Sequence, residues 1–90
     1  MNNPVTMYTS AWCGYCHRAR VLLQTKGVEI EELVIDGNPE LRNEMIDRTG
    51  RHTVPQIFVG DLHIGGSNEL GELERMGKLD ALLAADTSAA

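Results

Sequence analysis

The chain predicts an α/β domain built on a mixed four-stranded sheet with helices on both faces, in the order βαβαββα. Three observations carry this. Short β-branched runs alternate with longer stretches of helical period, turn residues separate them, and only Gly60-Asp61 divides the last two apolar runs. The first two strands need a helical crossover and are therefore parallel, whereas the two-residue loop makes the last two an antiparallel hairpin. Ninety residues suit a single domain over 1–90, with an ordered core over about 4–84 and a small, polar tail at 85–90 that should fray.

Val5-Thr6-Met7-Tyr8 reads as a buried first strand, and Thr9, Ser10 and Ala11 as the loop beyond it. A helix from about Tyr15 to Lys26 follows, with Cys16, Ala19, Leu22 and Leu23 on one face and Gly27 as its stop. Glu29 to Ile35 is β-branched-rich and reads as strand two, ended by the Asp36-Gly37 turn. Asn38-Pro39-Glu40 opens the second helix: Asn as N-cap, Pro at the first helical position, an acid near the positive dipole end. That helix buries Leu41, Met45 and Ile46 and closes at Thr49-Gly50. Gln56 to Val59 makes strand three and Leu62 to Ile64 a short strand four. The last helix starts near Ser67 or Asn68 and carries Leu70, Leu73, Met76, Leu79, Leu82 and Leu83. Gly71 and Gly77 each weaken it by about 1 kcal/mol relative to Ala, and Gly77 is the candidate break.

Composition narrows the function. A formal net charge of -5 argues against nucleic acid, which calls for clustered Lys and Arg; Glu29, Glu31, Glu32, Glu69, Glu72 and Glu74 read as a solvated surface. No apolar run reaches the roughly 18 residues of a membrane span. Met1-Asn2-Asn3-Pro4 shows neither the cationic stretch nor the apolar segment of a secretory signal. A reducing, cytoplasmic location is expected, where a cysteine pair is catalytic rather than a structural staple.

Cys13 and Cys16 are the only cysteines, within Trp12-Cys13-Gly14-Tyr15-Cys16. Two thiols with two residues between them can close a small disulfide ring across the first turn of a helix, a reversible two-electron switch. A zinc site needs four ligands, and His17, His52 and His63 stand at no ligand spacing, so redox chemistry is expected and no metal site. The topology puts the pair at the carboxyl end of strand one, where open α/β sheets bind their ligands. At a helix start Cys13 meets unpaired N–H groups and the positive end of the dipole, which favour the nucleophilic thiolate. Arg18 and Arg20 can add positive potential but read as solvated side chains. Cys16, on the apolar face with Ala19, reads as more buried. Cys13 attacks and Cys16 resolves.

Three further segments match one family. Thr53-Val54-Pro55-Gln56-Ile57-Phe58-Val59 looks like the cis-proline strand of the thioredoxin fold, Gly65-Gly66-Ser67-Asn68 resembles the glycine pair and helix start of glutaredoxins, and Ile35-Asp36-Gly37 before an acid-rich helix fits the same pattern. With Cys13-Gly14-Tyr15-Cys16, the chain resembles a small bacterial-type dithiol glutaredoxin over about residues 5 to 83. The resemblance implies a thioredoxin-like fold and glutathione as co-substrate. A cis bond before Pro55 would let Val54, beside Thr53, offer its N–H and C=O to the cysteinyl part of glutathione as an added strand. Gly65-Gly66 permits close approach, and the N–H groups of Ser67 and Asn68 would receive the γ-glutamyl carboxylate. Tyr15 is expected to stack beside the bound tripeptide.

Departures from the family pattern are local. Ser10 stands where glutaredoxins often carry a lysine for the glycine carboxylate of glutathione, leaving Arg42 as the candidate cation. The paired acids after the double glycine appear as Asn68 and Glu69, so contact to the γ-glutamyl amine falls to Glu69. His17 and His52 read as surface groups and His63 as a hairpin residue.

The resemblance implies thiol–disulfide exchange on protein–glutathione mixed disulfides and protein disulfides, by a monomer with no nucleic-acid or membrane partner. Thioredoxin-like reduction is a rival favoured by Trp12 and Gly14 but opposed by Tyr15 and Gly65-Gly66. The rival from another class is a [2Fe–2S] carrier, in which two Cys13 thiolates and two glutathiones would bridge a cluster in a dimer. Gly14, in place of the motif's proline, makes this arguable, and Trp12 would crowd the dimer contact.

Overall fold

Val5, Met7, Ile57 and Val59 pack into one apolar layer while Tyr8 and Phe58 pack into another, the alternation that a strand imposes on successive side chains. The computed structural model describes residues 4–84 and shows this pattern on the two inner strands of a sheet. In chain order the elements are β1 (Val5–Thr9), α1 (Gly14–Thr25), β2 (Ile30–Val34), α2 (Pro39–Thr49), β3 (Gln56–Val59), β4 (Leu62–Gly65), α3 (Ser67–Arg75) and α4 (Leu79–Ala84). The sheet order is β2-β1-β3-β4; β1 runs parallel to β2 and antiparallel to β3, and β3 runs antiparallel to β4. This is the mixed four-stranded, thioredoxin-like sheet expected from the sequence.

One core layer joins the sheet to α1, α3 and α4 through Ala19, Leu23, Leu70, Leu79 and Leu83. The other joins it to α2 through Met45, with Tyr8, Ile35 and Phe58. Buried Tyr8 brings a hydroxyl into that second layer, where α2 supplies both partners. Tyr8 donates to the Glu44 carboxylate and accepts from Arg48 at 2.8 Å, and the Arg48 guanidinium lies 3.9 Å from the Phe58 ring centroid. A buried hydroxyl left unpaired would cost about 1–3 kcal/mol, so this pair is what lets a tyrosine occupy a core strand.

Local signals set the helix ends. Asn38 Oδ1 accepts from the Leu41 N–H at 3.1 Å, Pro39 follows as the first helical residue, and Gly50 closes α2 in the left-handed region at φ 70°. Gly77, the candidate break in the sequence, has φ 71° and divides the last helical stretch into α3 and α4. The break corrects one residue: Met76 caps α3 and is half exposed instead of joining the core, because the chain turns away before its side chain can reach the sheet. The strands also shift slightly, with β1 taking in Thr9 and β2 shorter than Glu29 to Ile35. The expected fraying tail at 85–90 lies outside the described residues.

Leu23 is fully buried between α1 and the sheet. Leu23→Ala should lower the unfolding free energy by about 2–5 kcal/mol, read from urea denaturation; a loss below about 1 kcal/mol would show that the layer relaxes into the cavity.

Candidate functional site

β1 ends at Thr9, and the loop that follows is tied down before it reaches the cysteines. Ser10 Oγ donates to Asp36 Oδ1 at 2.8 Å and the Ala11 N–H to Asp36 Oδ2 at 2.7 Å. The Ala11 N–H, then the Ser10 hydroxyl, holds the Asp36 carboxyl below its ordinary range. Cys13 is then the N-cap of α1, with extended backbone, rather than a residue of its first turn. Its sulfur accepts from the Cys16 N–H at 3.1 Å, and its thiol donates to the Val54 carbonyl at 3.7 Å. An N–H directed at sulfur at the positive end of a helix stabilises negative charge there.

Cys16 is fully buried one turn on. Burial, then the hydrogen bond to and charge of Cys13, pushes its thiol up to about 12. The two sulfurs therefore have different surroundings: Cys13 is partly exposed and Cys16 enclosed, both as free thiols. Arg20 does not stand free in solvent as expected. It makes a two-pronged ion pair with Glu32 of β2, at 2.6 and 3.1 Å, which fixes α1 against the sheet and offsets its charge. Arg18 is exposed on α1.

Across from Cys13 the Val54-Pro55 peptide is cis, as the sequence predicts. Beyond it lies a shallow groove of about 250 Å³, lined by Tyr15, Thr53, Val54, Pro55, Gly66, Ser67, Asn68 and Arg51. Seven of these eight lining residues are sequence-predicted site residues, brought together from α1, the cis-proline segment and the start of α3. Gly65 has φ 119° and a side chain on it would overlap Glu69, while a Cβ on Gly66 would stand 3.3 Å from the Pro55 carbonyl oxygen. The double glycine is what allows α3 to start against the cis-proline turn.

Two predicted residues sit elsewhere. Arg42 lines a second groove of about 390 Å³ with Ser10, Asp36 and His52, which meets the first at Val54. Glu69, partly exposed, folds back onto its own helix start: its Oε1 accepts from the Gly66 N–H at 2.7 Å and pairs with Arg51 at 2.6 Å. Those two contacts, in that order, hold the Glu69 carboxyl below its ordinary range. Arg51 was not legible in the sequence, where it is one cation after a helix-closing glycine; only the approach of α3, 18 residues on, gives it a role. Gly14 is required neither for space nor for backbone conformation, since a side chain there would meet nothing within 4 Å and its φ is not positive.

The glutaredoxin family model matches residues 5–64. A glutaredoxin of Pseudomonas aeruginosa is 57% identical over 82 residues, covering 91% of this chain and 98% of that one. The chain belongs to the glutaredoxin family. Glutaredoxin 3 of Escherichia coli K12 is 56% identical over 79 residues, covering 88% of this chain and 95% of its own length. Among solved structures, the glutaredoxin of Brucella melitensis superposes with a TM-score of 0.80 at 50% identity, covering 91% of this chain and 89% of that one. The buckwheat glutaredoxin–glutathione complex gives 0.82 at 32% identity, covering 90% and 76%. As a glutaredoxin, the chain is a thiol oxidoreductase with this family's fold.

The raised Cys16 thiol predicts a pH effect. The folded chain keeps a proton on Cys16 until about pH 12, whereas the unfolded chain releases it near the ordinary 9.0. This contribution is intact below about pH 9 and is lost as pH rises towards 12. Between these values wild-type stability should fall more steeply than that of Cys16→Ala; equal slopes in urea titrations would remove the assignment.

Proposed function

We propose that this glutaredoxin reduces protein–glutathione mixed disulfides and protein disulfides with glutathione as co-substrate, Cys13 attacking and Cys16 resolving. The observation that carries the reading is the position of Cys13 Sγ, partly exposed, capped by the Cys16 N–H and 3.7 Å from the Val54 carbonyl where the two grooves meet. Among the described residues the Val54 N–H has no partner within the chain, so an extended peptide can take it as an added strand. In this reading the γ-glutamyl carboxylate takes the Ser67 and Asn68 N–H groups beside Tyr15, and the glycine carboxylate faces Arg42.

Cys13 thiolate attacks the glutathione sulfur of a mixed disulfide; that S–S bond breaks and the substrate leaves as thiolate. A second glutathione thiolate attacks the glutathione sulfur on Cys13, giving glutathione disulfide and regenerating the Cys13 thiolate. With a protein disulfide, Cys13 forms the mixed disulfide first, and Cys16 loses its proton and attacks the Cys13 sulfur. The substrate thiolate is released, and two glutathiones reduce the Cys13–Cys16 bond. Once Cys13 is bound in a disulfide, its charge and hydrogen bond no longer oppose ionisation of Cys16. We read the chain as a cytoplasmic monomer; no helix among the described residues is long and apolar enough to cross a membrane.

The cluster reading takes second place because one chain presents one accessible sulfur, so four sulfur ligands require two chains and two glutathiones. Thioredoxin-like recycling is separated from the main reading by the reductant, glutathione or thioredoxin reductase.

In an assay coupling NADPH and glutathione reductase to a small glutathione mixed disulfide, Cys13→Ser should abolish turnover. Cys16→Ser should retain it while losing reduction of protein disulfides. Loss of both activities in Cys16→Ser would refute the division of labour.

A further inference from the structure

We infer that Gln56 and His63 are positioning residues for the exchange site, holding the Thr53-Val54 segment from behind so that the Val54 edge stands ready beside Cys13. The inference rests on the reading of Val54 as the edge that pairs with the thiol substrate.

Gln56 is fully buried directly after the cis-proline, in a strand whose other residues are apolar. An amide there is costly unless each end is hydrogen-bonded. Both ends are. Nε2 donates back to the Thr53 carbonyl at 3.1 Å and to Thr53 Oγ1 at 3.2 Å, bridging the cis peptide from inside. A carbonyl only accepts, so the nitrogen end of the amide must face Thr53. Gln56 Oε1 then faces β4, where it stands 2.8 Å from His63 Nε2. That nitrogen must carry the proton, which fixes the imidazole as its Nε2–H form.

The ring is held in turn against Phe58, 5.0 Å between centroids. Burial, then nearby Arg51, lowers the His63 pKa, so the ring is neutral near pH 7 and its single N–H is committed to Gln56. The result is one polar chain running from β4 through the buried Gln56 to Thr53, next to the Val54 that lines both grooves. An aliphatic residue at either position would fill the same space. What it would lose is the hydrogen-bonded link that selects one conformation of the segment, and holding binding groups in place in advance lowers the ordering cost of ligand capture.

His63→Phe keeps a ring over Phe58 and removes the donor; His63→Gln restores a donor without the ring. His63→Phe should raise KM for a glutathionylated substrate roughly three- to tenfold, the size of one lost hydrogen bond, with kcat little changed, and His63→Gln should recover most of it. A drop in Tm with unchanged KM would mean that the pair merely supports the fold, and would overturn the inference. Two readouts need no glutathione, so they stand even if the wild type shows no glutathione-dependent turnover and the functional reading falls. In wild-type protein, nitrogen NMR should find His63 in the Nε2–H form; an Nδ1–H form breaks the chain. The Thr53 and Val54 amide signals should broaden in His63→Phe and be sharp in His63→Gln, and identical spectra would equally overturn the proposal.

Discussion

The sulfur of Cys13, the attacking atom of the proposed reaction, is also the cap of a helix, and much of the structure is arranged around it. A helix start leaves backbone N–H groups without partners, usually met by an oxygen of Ser, Thr, Asp or Asn. Here the acceptor is sulfur, with the Cys16 N–H 3.1 Å away. The hydrogen bond that completes α1 therefore ends on the sulfur of the proposed nucleophile. Neither function can be altered without the other, which makes the exact placing of α1 a chemical matter as well as a packing one.

That placing is achieved from three sides. Beneath α1, Ala19 and Leu23 seat it on the sheet, and the Arg20–Glu32 pair fixes its flank to β2. Before it, Asp36 accepts from Ser10 and Ala11 and so ties the loop leading from β1 to the turn after β2. At its far end Lys26 bridges to Glu74 and Asp80, joining α1 to α3 and α4. Isolated surface ion pairs contribute little, about 0–1 kcal/mol, so their effect here is better understood as orientation than as stability. Facing the sulfur, the cis-proline segment is braced by α3 through the double glycine and from within by Gln56.

Much of this was legible in the sequence because its signals are local. The Asn38-Pro39 start and the Gly50 stop of α2 need only their neighbours to be read. The parallel pairing of β1 with β2 and the β3–β4 hairpin followed from the connections, and the groove residues from three short motifs, whereas the antiparallel contact of β1 with β3 did not. Most of what escaped shares one cause: it depends on side chains meeting across the fold. Arg51 finds Glu69 18 residues on, Arg20 finds Glu32 12 residues on, and Tyr8 meets Glu44 and Arg48 from another layer. Met76 was misplaced for a different reason. Helical period marks which side faces the core only while the helix continues, and Gly77 ends it.

The same contrast of surroundings orders the chemistry. The two cysteines stand one helical turn apart, yet one caps the helix beside Val54, which lines both grooves, while the other lies under its apolar face. Burial pushes the Cys16 thiol up to about 12, so in the proposed reaction it would not compete with Cys13 for the incoming disulfide. Engagement of Cys13 removes the charge and the hydrogen bond that add to this, leaving desolvation as the main remaining barrier. In the proposed mechanism resolution would therefore follow attack, because attack alters the environment of the second thiol. The direction of the proposed dithiol reaction would be set by which sulfur the fold leaves in reach of solvent, and that follows from where α1 begins.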